Sequence, residues 1–458
     1  MFAKPFACLC LLALTAAVWT ACPAGAGTLL FEGARVVAGD GSPAIEDGAV
    51  LVDGATVARV GHKGEIALPA GGRRVDVTGK TIMPALVSAH VHPGFQRGLS
   101  YAAQNFTRET VMDDLDRALY WGISTVNSLG VEKGEVLYDI RAAQAEGRLG
   151  GARLLLAGRG IGAPNAGPGA AAYANIAYEI TTSEQALDAV HELAGRHVDG
   201  IKIWVDDRGG RAPSLPLALS RTVIEEGHRL GFKVSAHIYY HKDAEELAAA
   251  GVDNFAHLVR DKVMSDDLVA TVVAKGMYVM PNMSFPDRAA RTAVPAAFEE
   301  PSLARLLADT EPPEVIARMR AAFTKSDDAA AARAQAIYAN IKTSVKRLAA
   351  ARARIILGSD TGLEDHPFGY AEHMELQLMA EAGMTPAEVV VAATSRAAQF
   401  LGLGDRGVIG PGRRADLLLL DANPLDDIRN TRRIAALYIA GEEVDRAALR
   451  ARFQAPLR

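Results

Sequence analysis

The chain has three cysteines, Cys8, Cys10 and Cys22, and none after position 22. The remaining residues therefore have no internal disulfide, cysteine nucleophile or thiolate-held metal to work with, which removes several enzyme classes. An excess of one charge is also lacking: 49 Lys and Arg stand against 54 Asp and Glu, a formal net charge of −5 over 458 residues. No long block of like charge occurs, so nucleic acid and anionic membrane surfaces are not expected as partners. No apolar run is long enough to span a bilayer. The run from Phe6 to Trp19 is too short and has the surroundings of an export signal, with Lys4 ahead of it and Ala24-Gly25-Ala26 behind. Residues 1–26 are expected to direct the protein to the periplasm or outside the cell, with lipid attachment at Cys22 as the alternative to cleavage.

What is present is a globular composition, 49% apolar and 22% charged, of a length that suits one large catalytic domain with an accessory one. Short β-type runs separated by Gly and Asp fill 27–83, and the same style returns over 405–458, as in Asp416-Leu417-Leu418-Leu419-Leu420-Asp421. The two ends are expected to pair into a small β-sandwich domain. Between them, over 84–404, apolar strands alternate with helical patterns. Strands are expected near 86–91, 123–128, 152–157, 200–205, 232–237, 252–257, 277–281 and 354–359, with helices such as 183–196, 215–230 and 243–250 between them. That order predicts an α/β fold, a (β/α)8 TIM-type barrel. The Ala/Arg-rich stretch 285–350 is too long for one crossover and is expected to form a helical lid, while 158–174 is expected to form a loop walling the site.

Polar residues stand at the C-terminal ends of these strands, where barrels of this type carry their chemistry. His90 and His92 are two apart on a strand and face one side, so both can reach one ion. Lys202 lies in the apolar strand Ile201-Lys202-Ile203-Trp204. A desolvated, neutral amine there could take up CO₂ and become a carbamate. A lysine paired with Asp206 or Asp360 is the structural alternative. His237 and His257 each close a strand, and Asp360 emerges from Ile355-Ile356-Leu357-Gly358-Ser359 into a Thr-Gly turn, where a carboxylate can hold metal and accept a proton. Tyr239, Tyr240 and His241 follow the fifth strand and His366 follows the eighth, so all four are candidate substrate-binding residues. Arg97, Arg159, Arg208 and Arg260 are candidates for holding a substrate carboxylate.

These pieces in this order resemble the amidohydrolase superfamily, in particular its imidazolonepropionase-like and prolidase-like dipeptidase branch. The resemblance runs from Gly79-Lys80-Thr81-Ile82-Met83-Pro84 through His90-Val91-His92-Pro93-Gly94, Gly200-Ile201-Lys202-Ile203, Ala236-His237, Ala256-His257 and Gly358-Ser359-Asp360-Thr361-Gly362 to Asp421-Ala422-Asn423-Pro424. It implies a binuclear centre of two divalent ions, zinc first among them. His90, His92 and Asp360 would hold one ion and His237 and His257 the other, bridged by carboxylated Lys202. It further implies that a hydroxide between the ions attacks a carbonyl while Asp360 serves as general base and then acid. Two departures matter. Lys202 sets the chain apart from single-metal imidazolonepropionases, and Tyr239-Tyr240 stand where the dipeptidases place a second histidine soon after the first.

The expected reaction is hydrolysis of an amide-type C–N bond in an N-acyl amino acid or dipeptide-like molecule. Cyclic amides, carbamates, esters and lactones are the alternatives for the same centre, and a barrel that binds metal without catalysis is the alternative of another class. The expected partners are a small-molecule substrate and further copies of the chain, the latter without any sequence feature that specifies an assembly.

Overall fold

In a computed structural model, residues 27–132, 134–323 and 328–455 are described. The export segment 1–26, with Cys22 as its lipid-attachment candidate, lies outside the described residues.

The apolar runs after Pro84 form parallel strands, buried on both faces as their Val, Ile and Leu content requires. In chain order they are β1 (Leu86–Val91), β2 (Ile123–Ser128), β3 (Arg153–Leu156) and β4 (Ile201–Val205). They continue as β5 (Val234–Ile238), β6 (Asn254–Phe255), β7 (Tyr278–Val279) and β8 (Arg354–Ile355). All eight expected strands are present, the last three as pairs of residues. Hydrogen bonds run parallel through β1, β2 and β3, and through β4 to β8 in sequence order. Past β3, Ile161–Gly162 lies against β4. Backbone bonds from Ala89 N–H to Leu357 O (2.9 Å) and from His92 N–H to Thr361 O (2.6 Å) join β1 to the chain leaving β8. The molecule is thus an α/β fold with a largely parallel core sheet, TIM-barrel-like in the order of its elements.

The helices between strands have local causes. Ser183–Gly195 opens with a capping box between Thr182 and Gln185. It buries Ala186, Ala189, Val190 and Leu193, spaced to fall on one helical face. The Ala/Arg-rich insertion folds as Ser284–Ala290, Pro301–Thr310, Pro313–Ala322 and Asp328–Ala350. Asn340 in the last of these donates from Nδ2 to the Arg260 carbonyl at 3.0 Å, which ties the insertion to the loop after β6.

Both termini contribute to one accessory sheet, as expected, but its hydrogen bonding is that of a single eight-stranded sheet and not of two sheets forming a sandwich. Its order runs Glu442–Glu443, Ile434–Ile439, Leu417–Leu420, Thr81–Pro84, Leu29–Val36, Ile45–Asp53, Thr56–His62, with Arg73–Asp76 also on Leu29–Val36. The reason is that Leu29–Val36 pairs in parallel with Arg73–Asp76 along its first half and with Thr81–Pro84 along its second, so one strand joins what would be two layers. Leu418 pairs with Met83. Only Ala85 separates Thr81–Pro84 from β1, so this sheet hangs on the strand that carries His90. The final helix, Arg446–Phe453, leaves the sheet and lies against Arg108–Tyr120, with the Phe453 and Tyr120 rings 6.0 Å apart. Among the described residues, no helix is long and apolar enough to cross a membrane.

Candidate metal centre

Alternation along β1 turns His90 and His92 the same way, and their Nε2 atoms come within 3.2 Å of each other. Asp360 meets them from the far end of the sheet, its Oδ1 2.8 Å from His92 Nε2 and 3.2 Å from His90 Nε2. The backbone at Asp360 is left-handed, φ 58°, a conformation that Asp tolerates better than most residues and that turns its carboxylate back over β1. Two residues on, Gly362 (φ 93°) passes so close to His92 that a Cβ would lie 2.1 Å from the His92 carbonyl O. Only glycine allows that approach.

His257 at the end of β6 stands behind His90, ring centroids 5.2 Å apart, and His237 on β5 stands 4.6 Å from His257. Four imidazoles therefore follow one another across the mouth of the sheet. Ligand atoms of His90, His257 and Asp360 lie within 4.8 Å of one another, a candidate metal-ligating triad. Asn282, beyond β7, backs the group: its amide nitrogen is 3.0 Å from His90 Nδ1 and 2.9 Å from His257 Nδ1.

Lys202 is 1% exposed on β4. The carboxylates offered as its partners are engaged elsewhere, Asp206 with His237 Nε2 at 3.1 Å and Asp360 with the β1 histidines. Gly130 makes room for it, since a Cβ there would lie 2.7 Å from Lys202 Cγ. Burial pushes the Lys202 amine down to about 7, with Asp360 pulling the other way. Burial likewise holds His90 and His257 well below the usual imidazole value and brings His237 to about 4. For Asp360 burial raises the carboxyl, but His90, His257 and His92 outweigh it and hold it well below the usual range. The cluster thus offers neutral imidazoles, a readily deprotonated amine and an ionised carboxylate, the protonation states a divalent cation requires. His92 Nδ1 is buried with no hydrogen-bond partner. The residues present fit a metal centre.

All of these groups open into one cavity of about 950 Å³. Tyr239 and Tyr240 line it, as do Tyr173, Trp204, Arg208, Arg260, Phe285 and Arg333. Residues 165–170 form part of the wall, within the loop expected to do so, and Phe285 and Arg333 come from the helical insertion. His241 and His366, expected to touch substrate, do not line the cavity. His241 is 2% exposed and accepts at Nε2 from the Ser265 N–H (3.0 Å), because it begins the helix after β5 and points into the core. His366 is 1% exposed, its Nε2 3.0 Å from Ser284 Oγ and 3.1 Å from the Ser359 carbonyl O, and packs behind Phe285. Of the arginine candidates, Arg159 is spent on the Ile176 and Ala177 carbonyls and on the Tyr178 ring. Arg97 lies beside a separate cavity of about 510 Å³. Sequence reasoning missed Asn282, Tyr173, Trp204 and Arg333. Asn282 was findable, because it too is a polar residue just past a strand, and Trp204 is two residues from Lys202 on the same strand.

His373, also downstream of β8, is buried and donates from Nε2 to the Trp121 carbonyl O (2.9 Å). Burial pushes its imidazole down to about 3. Because the unfolded chain takes up this proton near pH 6.5 and the folded one near 3, stability is complete above 6.5. It is lost as pH falls through that window, at roughly 1.4 kcal/mol per pH unit for this one group. His373→Gln is expected to flatten the slope of unfolding free energy between pH 6.5 and 4 by that amount, measured by denaturant titration. An unchanged slope would show that His373 is protonated in the folded protein.

Comparison with known proteins agrees with this geometry. Residues 81–444 match the amidohydrolase family. An enamidase from Eubacterium barkeri is 24% identical over 410 residues, 88% of each chain. An imidazolonepropionase from Deinococcus deserti is 37% identical over 87 residues, which span 19% of this chain and 22% of that one. A proposed prolidase from Bifidobacterium longum, known by crystal structure, superposes with a TM-score of 0.72 at 25% identity, covering 94% of this chain and 100% of its own. With a family match over most of its length and a candidate metal-ligating triad within the matched residues, the chain belongs to the amidohydrolase family and is an amidohydrolase-type enzyme.

Proposed function

We propose that the protein hydrolyses an amide-type C–N bond at a centre of two divalent ions, zinc first among the candidates. His90, His92 and Asp360 would hold one ion, His237 and His257 the other, with carboxylated Lys202 between them and the parallel strands closing as a barrel around the site. The observation that carries this reading is the convergence of four imidazoles, the Lys202 amine and the Asp360 carboxylate on the floor of one cavity. His and carboxylate donors suit zinc. When bound, the ions supply a Lewis acid and a nucleophile competent at neutral pH.

The chain's own residues do the rest. Asp360, ionised and in contact with His92, is placed to accept a proton at Oδ1 and return it to the departing nitrogen as the C–N bond breaks. Asn282 holds the His90 and His257 rings from behind. Tyr173, Trp204, Tyr239 and Phe285 supply an apolar wall that limits water around the substrate. The enamidase and the prolidase among the relatives, by their names, act on amide-type bonds, which supports the same bond class here. The same reading places the enzyme outside the cytoplasm on the strength of segment 1–26.

The test is metal analysis of zinc-reconstituted protein together with a substrate panel of N-acyl amino acids, dipeptides, cyclic amides, carbamates, esters and lactones. About two ions per chain and turnover of a C–N substrate are expected. No turnover of any C–N substrate would sink the proposal, and one ion per chain would remove the binuclear part of it.

A further inference from the structure

The cavity over the candidate centre has a charge imbalance that the hydrolytic reading leaves unexplained. Four guanidinium groups line it, those of Arg208, Arg211, Arg260 and Arg333. Its two carboxylates, Asp206 and Asp360, already face histidines. Asp207, next to the cavity, accepts from the Tyr240 hydroxyl at 2.8 Å. Among the described residues, no carboxylate oxygen lies within ion-pairing distance of any of the four arginines.

Arg260 is the deepest of them. It follows β6 three residues after His257, and its backbone is fixed at both ends, the N–H donating to the Tyr239 carbonyl O (2.9 Å) and the carbonyl accepting from Asn340 (3.0 Å). Its guanidinium stands over the Tyr239 ring, 5.9 Å from the centroid, with Nη2 3.2 Å from His257 Nδ1. Nε is buried with no hydrogen-bond partner. Burial disfavours the guanidinium charge, and Asp360 and Asp206 offset that only from beyond ion-pairing distance. Such an arrangement is stable at a functional site when a ligand supplies the missing anion, and a carboxylate matches the planar fork of arginine.

Resting on the hydrolytic reading above, we propose that Arg260 binds the carboxylate of the substrate and that the substrates are N-acyl amino acids. Arg260 touches His257, so a carboxylate held by it sits beside the reacting bond, which fits a carboxylate one carbon removed from the scissile nitrogen. The cavity offers an ammonium no free carboxylate and surrounds it with arginines, so the amine of the substrate is acylated, as in an N-acyl amino acid, and not free, as at the N-terminus of a dipeptide. The reaction consumes one water: the acyl carbon gains a hydroxyl oxygen, its bond to nitrogen breaks, and the nitrogen takes the proton. A carboxylate and a free amino acid leave. Arg208, Arg211 and Arg333, nearer the rim, add an attractive field for the anion.

Three matched sets separate the outcomes: N-acetyl derivatives of alanine, leucine, methionine and phenylalanine, their C-terminal carboxamides, and the glycyl dipeptides of the same residues. Acetate or glycine release is measured with zinc-loaded enzyme, and thermal shift on the same protein reports binding. The acids are expected to exceed their carboxamides in kcat/KM by about 100-fold, the scale of a lost charge-assisted pair, and to exceed the dipeptides by at least about tenfold. Arg260→Gln is expected to lower the acid values by about 100-fold and the carboxamide values far less, with Arg260→Lys in between. Equal rates on acids and carboxamides would overturn the carboxylate site. Equal rates on acids and dipeptides would overturn the acyl requirement. A uniform loss in Arg260→Gln together with lower zinc content would assign Arg260 to the metal centre instead. If nothing is hydrolysed, the hydrolytic reading fails on its own. The carboxylate site then stands or falls on whether the acids, and not the carboxamides, raise Tm in the native protein and lose that effect in Arg260→Gln.

Discussion

Replacing Asp360 by Asn is expected to lower kcat by about 10³- to 10⁴-fold, toward the upper limit for loss of a general acid–base group, with the chain still folded. Asparagine keeps the shape of the side chain and its contacts with His90 and His92 at Oδ1 but carries no charge and cannot hold the transferred proton. The native carboxyl is held well below its usual range because three imidazoles outweigh the effect of burial. It is therefore ionised throughout the neutral range and available as a base. A change confined to KM would mean that Asp360 only shapes the site, and activity within tenfold of the native enzyme would refute the proton-transfer role. Metal content measured on the same variant separates loss of a ligand from loss of a base.

Lys202→Met is the second large effect. The native amine is 1% exposed and is brought down to about 7, so near neutrality a large fraction is unprotonated and nucleophilic toward CO₂. Carboxylation of the neutral amine would form one N–C bond and release one proton, turning an uncharged buried amine into an anion among the histidines. Methionine matches the volume and the apolar stem but cannot make this group. The variant is expected to bind fewer ions per chain and to lose activity on the order of 10³-fold. It removes a ligand, whereas loss of a group that only supports a ligand costs about 10- to 100-fold. Carbon-13 NMR of protein equilibrated with labelled CO₂ is expected to show a carbamate resonance in the native enzyme and none in Lys202→Met. Full metal content in the variant would remove Lys202 from the centre, and its absence of effect on the rate would remove it from the reaction.

Most of what positions the site was legible because it depends on short-range pattern. The spacing of two between His90 and His92 puts both on one side of any strand, and apolar runs ending in His237, His257 and Asp360 mark strand ends wherever the strands later pack. The misplacements share a different cause. His241 and His366 lie close in sequence to strand ends, yet one begins a helix whose core face it occupies and the other is held behind Phe285. Direction of a loop or helix side chain is set by what packs against it, which spacing alone does not encode. The accessory sheet shows the same limit: strands at both termini were readable, but that Leu29–Val36 would pair with two different strands along its length was not.

The sequence by itself determined the chemical inventory of this protein: no thiols after Cys22, a histidine pair on a strand, a lysine in an apolar run, and polar residues closing parallel strands. These follow from residue type and local period, which survive any packing. The tertiary structure alone decided which distant groups share a cavity. It gave Asp206 to His237 and Asp360 to His90 and His92, and it set Asn282 behind two histidines. It also gathered four arginines around two carboxylates that were already taken. Burial and charge pairing are properties of the packed molecule, which residue type and local period do not encode.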